Sequence, residues 1–160
     1  MEIKSQTINF DGSINIILGQ SHFIKTVDDL SQIIVTTVPN AQYAVAFCEA
    51  SGEALIRHNS NDDNLKQKAI TIMQDIKAGH SFVILLGNFY PINILSKVKA
   101  CDEVVNIYCA TANPVTVLTV SNENGAGIIG VIDGTSPKGV ENENDIINRR
   151  ALLKKIGYTF

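Results

Sequence analysis

Residues 82–86, Phe-Val-Ile-Leu-Leu, form an unbroken apolar run. A run this short with no polar face predicts a strand covered on both sides, at the centre of a sheet. The segment ahead of it narrows the fold further. From Asp62 to Ala78 the apolar residues Leu65, Ala69, Ile72, Met73 and Ile76 recur at helical spacing. Asn61 suits the N-cap, Asp62 and Asp63 complement the helix dipole, and Gly79 is placed to close the helix in a left-handed cap. A helix that feeds through Gly79 and His80 directly into a central strand is a unit of α/β and α+β domains.

The rest of the chain alternates in the same way. Residues 2–9 and 14–18 flank Asp11-Gly12-Ser13 and predict a hairpin. Thr26 heads a helix with acids in its first turn and Pro39 beyond its end, and Thr26 is its expected N-cap. Residues 42–49 and 53–57 flank Ser51-Gly52 as a second hairpin. Pro91 suits the first turn of a helix carrying Ile92, Leu95 and Val98. Strands are predicted over 103–109 and 115–120, separated by Ala112-Asn113-Pro114, and a helix over 141–156 with acids at its start, lysines at its end and Gly157 as a stop. Together these predict a single domain over 1–160 of α/β or α+β class, with a mixed β-sheet flanked by about four helices.

Composition limits what such a domain does. Hydrophobic residues make up 45% of the 160 and charged residues 18%, which supplies a sizeable core. The net charge is −3 with no basic block, so the electrostatic footprint of a nucleic-acid binder is missing. No apolar run reaches membrane-spanning length, and the charged, polar start MEIKSQTINF lacks the apolar core of a signal peptide. The expectation is a cytoplasmic protein with no membrane and no nucleic-acid partner. Cys48, Cys101 and Cys109 are odd in number and form no C-x-x-C pair, which predicts reduced core thiols.

Gly125, Gly127 and Gly130 fall in G-x-G-x-x-G spacing. The dinucleotide mechanism needs a helix to open at the third glycine, so that its free amides meet a pyrophosphate. Here the third glycine leads into Val131-Ile132-Asp133-Gly134-Thr135-Ser136-Pro137, which predicts a strand followed by a loop. The match fails on context, and Asp133 at a strand end becomes the informative residue. Phosphate-loop, nucleophile-elbow and zincin motifs are missing, and His22, His58 and His80 are scattered singly, so no sequence-local metal site exists. His80, at the entry of the buried strand, is either a hydrogen-bonded boundary histidine or a functional one. In the second role an imidazole can serve as base, anion holder or phosphoryl carrier.

Several fragments in order carry a family resemblance: Phe47-Cys48-Glu49-Ala50-Ser51-Gly52, Asn61-Asp62, Gly79-His80-Ser81-Phe82, Tyr90-Pro91-Ile92-Asn93, Cys109-Ala110-Thr111-Ala112-Asn113-Pro114, Gly130-Val131-Ile132-Asp133-Gly134 and Gly157-Tyr158. Over nearly its whole length the chain resembles the adenosine-specific kinases. That resemblance implies one α/β domain, association as a homo-oligomer (a trimer), binding of adenosine or AMP, and a phosphate-carrying histidine at the position of His80. Two departures stand out. The family pattern has an arginine before the glycine at 127 where this chain has Ala126, and a glycine where it has Ser60.

Phosphoryl transfer to the 5′-hydroxyl of adenosine needs a positioned acceptor and charge neutralisation. The expected catalytic residues are His80 as relay and Asp133 as base. Glu49, Asp62, Asn113, Gly127 and Lys138 are the expected substrate-binding residues, with Arg57 or Lys138 supplying positive charge and Asp133 with Glu49 as the oxygen donors open to Mg²⁺. The alternative is a non-catalytic adenosine or AMP sensor, which the missing phosphate loop favours. A third reading is a structural module whose strand-end loops join subunits without binding nucleoside.

Overall fold

In the computed structural model, residues 1–158 are described, and they form one α+β domain. The strands are β1 (Glu2–Ile8), β2 (Asn15–Ser21), β3 (Tyr43–Cys48), β4 (Ile56–Ser60), β5 (Ser81–Leu86), β6 (Val104–Thr111), β7 (Val115–Ser121) and β8 (Ala126–Asp133). The helices are α1 (Thr26–Thr37), α2 (Asp63–Ile76), α3 (Leu95–Lys99) and α4 (Glu143–Lys155), with a 3-10 turn at Pro91–Asn93. The strands divide over two antiparallel sheets, ordered β4-β3-β5-β2-β6 and β1-β7-β8. The sole parallel contact among the described residues is a bridge between Ala78 and Ala126 that ties the two sheets together.

The apolar run is the central strand, β5, and every one of its residues is buried. Its side chains alternate between two cores. Phe82, Ile84 and Leu86 join Val27, Leu30 and Ile34 of α1 on one face, while Val83 and Leu85 join Leu65, Ala69, Ile72, Met73 and Ile76 of α2 on the other. Each of these Val, Leu, Ile, Phe and Met side chains contributes about 1.5–3 kcal/mol through burial. The smaller sheet closes over the α2 side, where Val115 and Val117 enter the same core.

Several local expectations change. Residues 2–8 and 15–21 do not pair as a hairpin: β1 pairs with β7, and β2 lies between β5 and β6. The reason is burial, because β2 is almost wholly buried and needs strands on both sides, whereas β1 is largely exposed and suits an edge. Thr26 does not cap α1 but opens it, with Lys25 in the cap position and the Thr26 hydroxyl donating to Ser21 Oγ at 2.8 Å. The N-cap of α2 is Asp62, which accepts from the Leu65 amide, while Asn61 donates to the Ala41 carbonyl and accepts from the Tyr43 amide. The left-handed residue at its C-terminus is Lys77, not Gly79.

Candidate functional site

The turn out of α2 delivers the chain to β5 through a strained backbone. His80 has φ of +62°, a region that non-glycine residues rarely occupy. It is held there from both sides: its N–H donates to the Cys48 carbonyl at 2.7 Å and its carbonyl accepts from the Ser21 amide at 2.9 Å. The imidazole stacks on Phe47, with ring centroids 5.9 Å apart and planes 15° from parallel. Gly79 is needed for contact, since a Cβ there would stand 2.9 Å from the Ala50 side chain. Strain of this kind costs on the order of 1–3 kcal/mol and persists only where neighbours over-determine it.

Beside Gly79 opens a cavity of about 530 Å³, lined among others by Glu49, Gln74, Lys77, Asn124 and Ala126. Its walls are the β3–β4 turn, the end of α2 and the β7–β8 turn, which the Ala78–Ala126 bridge holds in place. Glu49 is its best-ordered polar group. Its Oε2 accepts from the Leu55 amide at 3.1 Å and from the Arg57 guanidinium at 3.0 Å, and those bonds, the backbone one foremost, hold its carboxyl below the usual range. Arg57 lines a second cavity of about 380 Å³ with Asp28 and His58, and its buried Nε has no hydrogen-bond partner. That Nε is closed off from solvent, so the part of the guanidinium that is engaged is the Nη2 held by Glu49.

Of the residues expected at a site, the structure brings Glu49, His80 and Gly127 to this end of the strands. Gly127 adjoins Ala126, which bridges to Ala78 between α2 and β5. Asn113 and Asp133 meet one another instead: Asp133 Oδ1 accepts from Asn113 Nδ2 at 3.1 Å and from the Thr111 hydroxyl at 2.9 Å. Gly134, at φ of +65°, passes directly beneath the Asn113 amide, where a Cβ would approach to 2.9 Å. This polar cluster is at the other end of the sheet. Thr111 pairs with Ile16, whereas Ser21 binds His80, and five residues of β2 at about 3.4 Å each set the two ends roughly 17 Å apart along the strands alone.

Asp133 therefore cannot act on a phosphoryl group at His80 of the same chain, nor share a Mg²⁺ ion with Glu49. The donors at the His80 end do not fit that ion. Glu49 is its lone carboxylate in the cavity wall and is already engaged by Arg57. Asp62 is occupied as a helix cap, and Lys138 lies exposed in the loop after β8. Thr111, Gln74 and Lys77 join these clusters without having been singled out by sequence; only Thr111 lies in a fragment that carried the resemblance.

The surroundings of all three thiols disfavour the thiolate. Cys48, Cys101 and Cys109 are unpaired, and burial pushes the last two up to about 11. Cys101, Asp29 and Glu103 cluster near Lys25, but the thiol donates to Glu103 at 3.0 Å and Lys25 bonds Asp29 at 2.6 Å, which satisfies the group internally.

An α+β domain with a cleft beside Gly79, a histidine at positive φ next in the chain and no glycine-rich phosphate loop in its sequence defines a class apart from the common nucleotide folds. The chain belongs to the family described as adenosine specific kinase, whose model matches residues 6–159. Among solved structures it is similar to the PH1918 protein from Pyrococcus horikoshii OT3, with 38% identity, a TM-score of 0.94, and 99% of this chain and 98% of that one covered. No curated protein sequence matches it.

Proposed function

We propose that the protein binds adenosine or AMP in the cleft beside Gly79 and transfers a phosphoryl group to adenosine through His80. The observation that carries this reading is the backbone of His80, fixed at positive φ by two hydrogen bonds and stacked on Phe47, in a chain of the adenosine specific kinase family. An imidazole held this way needs no reorganisation before it attacks. A ring nitrogen attacks the terminal phosphorus of a phosphorylated donor and the bond to the donor oxygen breaks. The 5′-hydroxyl of adenosine then attacks the phosphohistidine; the P–N bond breaks, AMP leaves, and the hydroxyl proton ends on the departing imidazole. Arg57, bonded to Glu49 in the cleft wall, brings positive charge to this end. No step is routed through a metal.

The protein works as a homo-oligomer, a trimer, in the cytoplasm. Unpaired thiols at all three cysteines and the lack, among the described residues, of a helix long and apolar enough to cross a membrane support that setting. The missing phosphate cradle supports a second reading, a sensor that binds adenosine or AMP without turnover. One experiment separates the two. Protein incubated with a labelled phosphoryl donor, then with adenosine, is expected to carry acid-labile label that chases into AMP, and His80→Ala to lose both. Adenosine binding by calorimetry with no label on His80 leaves the sensor, and no binding removes both.

A further inference from the structure

Asn40, Ala54, Lys77 and His80 are the non-glycine residues at positive φ among the described residues. Ala54 and Lys77 line the cleft beside Gly79, and His80 is the residue after Gly79. Backbone of this kind costs stability and gathers where a site requires it. Lys77, at φ of 53° and ψ of 20°, is the C-cap of α2, and its N–H donates to the Met73 carbonyl at 2.9 Å. The left-handed conformation brings Cβ close to the following carbonyl oxygen, which is why glycine, and sometimes asparagine, usually fills such a cap. The helix end alone therefore gives no reason for a lysine.

The charges of the cleft single out the same residue. Of the residues in its wall only Glu49 and Lys77 are charged. Glu49 is neutralised by Arg57 at 3.0 Å, whereas Lys77 has no ion pair among the described residues. Gln74, three residues earlier on α2, and Asn124 on the β7–β8 turn add neutral amides, and Ala126 beside the Ala78 bridge adds no charge. The wall thus has amides and apolar groups for an uncharged base and sugar, and one uncompensated cation for an anion.

We infer that Lys77 is the residue by which the cleft recognises phosphate, so that it takes the nucleoside monophosphate in preference to the nucleoside. This rests on the reading that adenosine or AMP occupies the cleft, and it adds which of the two is favoured and why. The phosphate of AMP carries about −1.5 to −2 charge at pH 7, and a lysine ammonium meets it as a point charge with three donors. Adenosine has no such partner and leaves the ammonium in water. The consequence is regulatory: the product of phosphoryl transfer competes with the acceptor for the same cleft, and AMP restrains its own formation.

Calorimetry on the full chain, with AMP, adenosine and inorganic phosphate as separate titrants, tests this in the wild type, Lys77→Asn and Lys77→Arg. Asparagine removes the charge and suits left-handed backbone, so Lys77→Asn is expected to unfold at no lower urea concentration than the wild type. The wild type is expected to bind AMP about tenfold more tightly than adenosine, and inorganic phosphate far more weakly than AMP. Lys77→Asn is expected to lose about tenfold for AMP and to keep adenosine within about twofold, while Lys77→Arg keeps both. The AMP preference is also expected to shrink as salt rises in the wild type and not in Lys77→Asn. AMP binding unchanged in Lys77→Asn, or AMP and adenosine weakened alike, overturns the role of Lys77 and leaves the nucleoside site standing. Inorganic phosphate bound as tightly as AMP makes the cleft a bare anion site and overturns the monophosphate as its ligand. A wild type that binds neither adenosine nor AMP overturns the nucleoside reading, and this inference with it.

Discussion

The two sheets of this protein are made from similar residues and end in different situations. The five-stranded sheet has α1 and α3 on one face and α2 with the smaller sheet on the other, and its central strand is buried throughout. The three-stranded sheet is covered on one face only, and residues 134–142 lead from its last strand to a helix that makes no more than glancing contact with any other element. Glycine shows the contrast residue by residue. Gly19 is walled in, so that a Cβ there would stand 2.4 Å from the Phe82 ring and 2.7 Å from the Asn106 carbonyl, whereas Gly127 and Gly130 face open space. One glycine type serves an internal contact, and the other leaves room for an external one.

The largest test of that contrast is in the core. Phe82→Ala is expected to lower unfolding free energy by about 3–5 kcal/mol in urea titration. Ile132→Ala on the open face is expected to change the monomer by no more than about 0.5 kcal/mol. Equal losses would erase the distinction between the sheets. Next comes Gly19→Ala, which has to displace Phe82 or the strand beside it and is expected to cost about 1–3 kcal/mol, against no loss for Gly130→Ala. Asp62→Ala removes the α2 cap and is expected to cost about 1 kcal/mol, with binding of adenosine retained if Asp62 is only a cap.

The smallest effect is electrostatic and sharpens the comparison at the cleft. Bonded to Leu55 and Arg57, Glu49 titrates below its ordinary 4.5. Its contribution to stability is then present above that value and fades as pH falls through the lower folded one. Carbon-detected NMR is expected to show a Glu49 midpoint below 4.5 that rises in Arg57→Ala; an unchanged midpoint would remove the ion pair from the account.

Much of the fold was legible in the chain. The central strand, α2 and α4 follow from apolar spacing and end signals, because those depend on residues near in sequence. The hairpin expected across Asp11-Gly12-Ser13 did not form, because strand pairing depends on which faces must be buried, and β2 had two to hide. At the site, Glu49 and His80 were legible as neighbours only through the resemblance. Asp133 was read as their companion, yet it binds Asn113 and Thr111 at the far end of β2. No local pattern measures that separation.

By itself the sequence determined the elements, the composition of the core and the failure of the dinucleotide reading, since each is a matter of local propensity and burial. Tertiary structure alone decided that His80 takes positive φ while Gly79 does not, that Glu49 and Asp133 stand at opposite ends, and that α4 and the outer face at Gly127 and Gly130 are left without partners. Those outcomes depend on which distant segments compete for the same space, and that competition is settled only when the whole chain has packed.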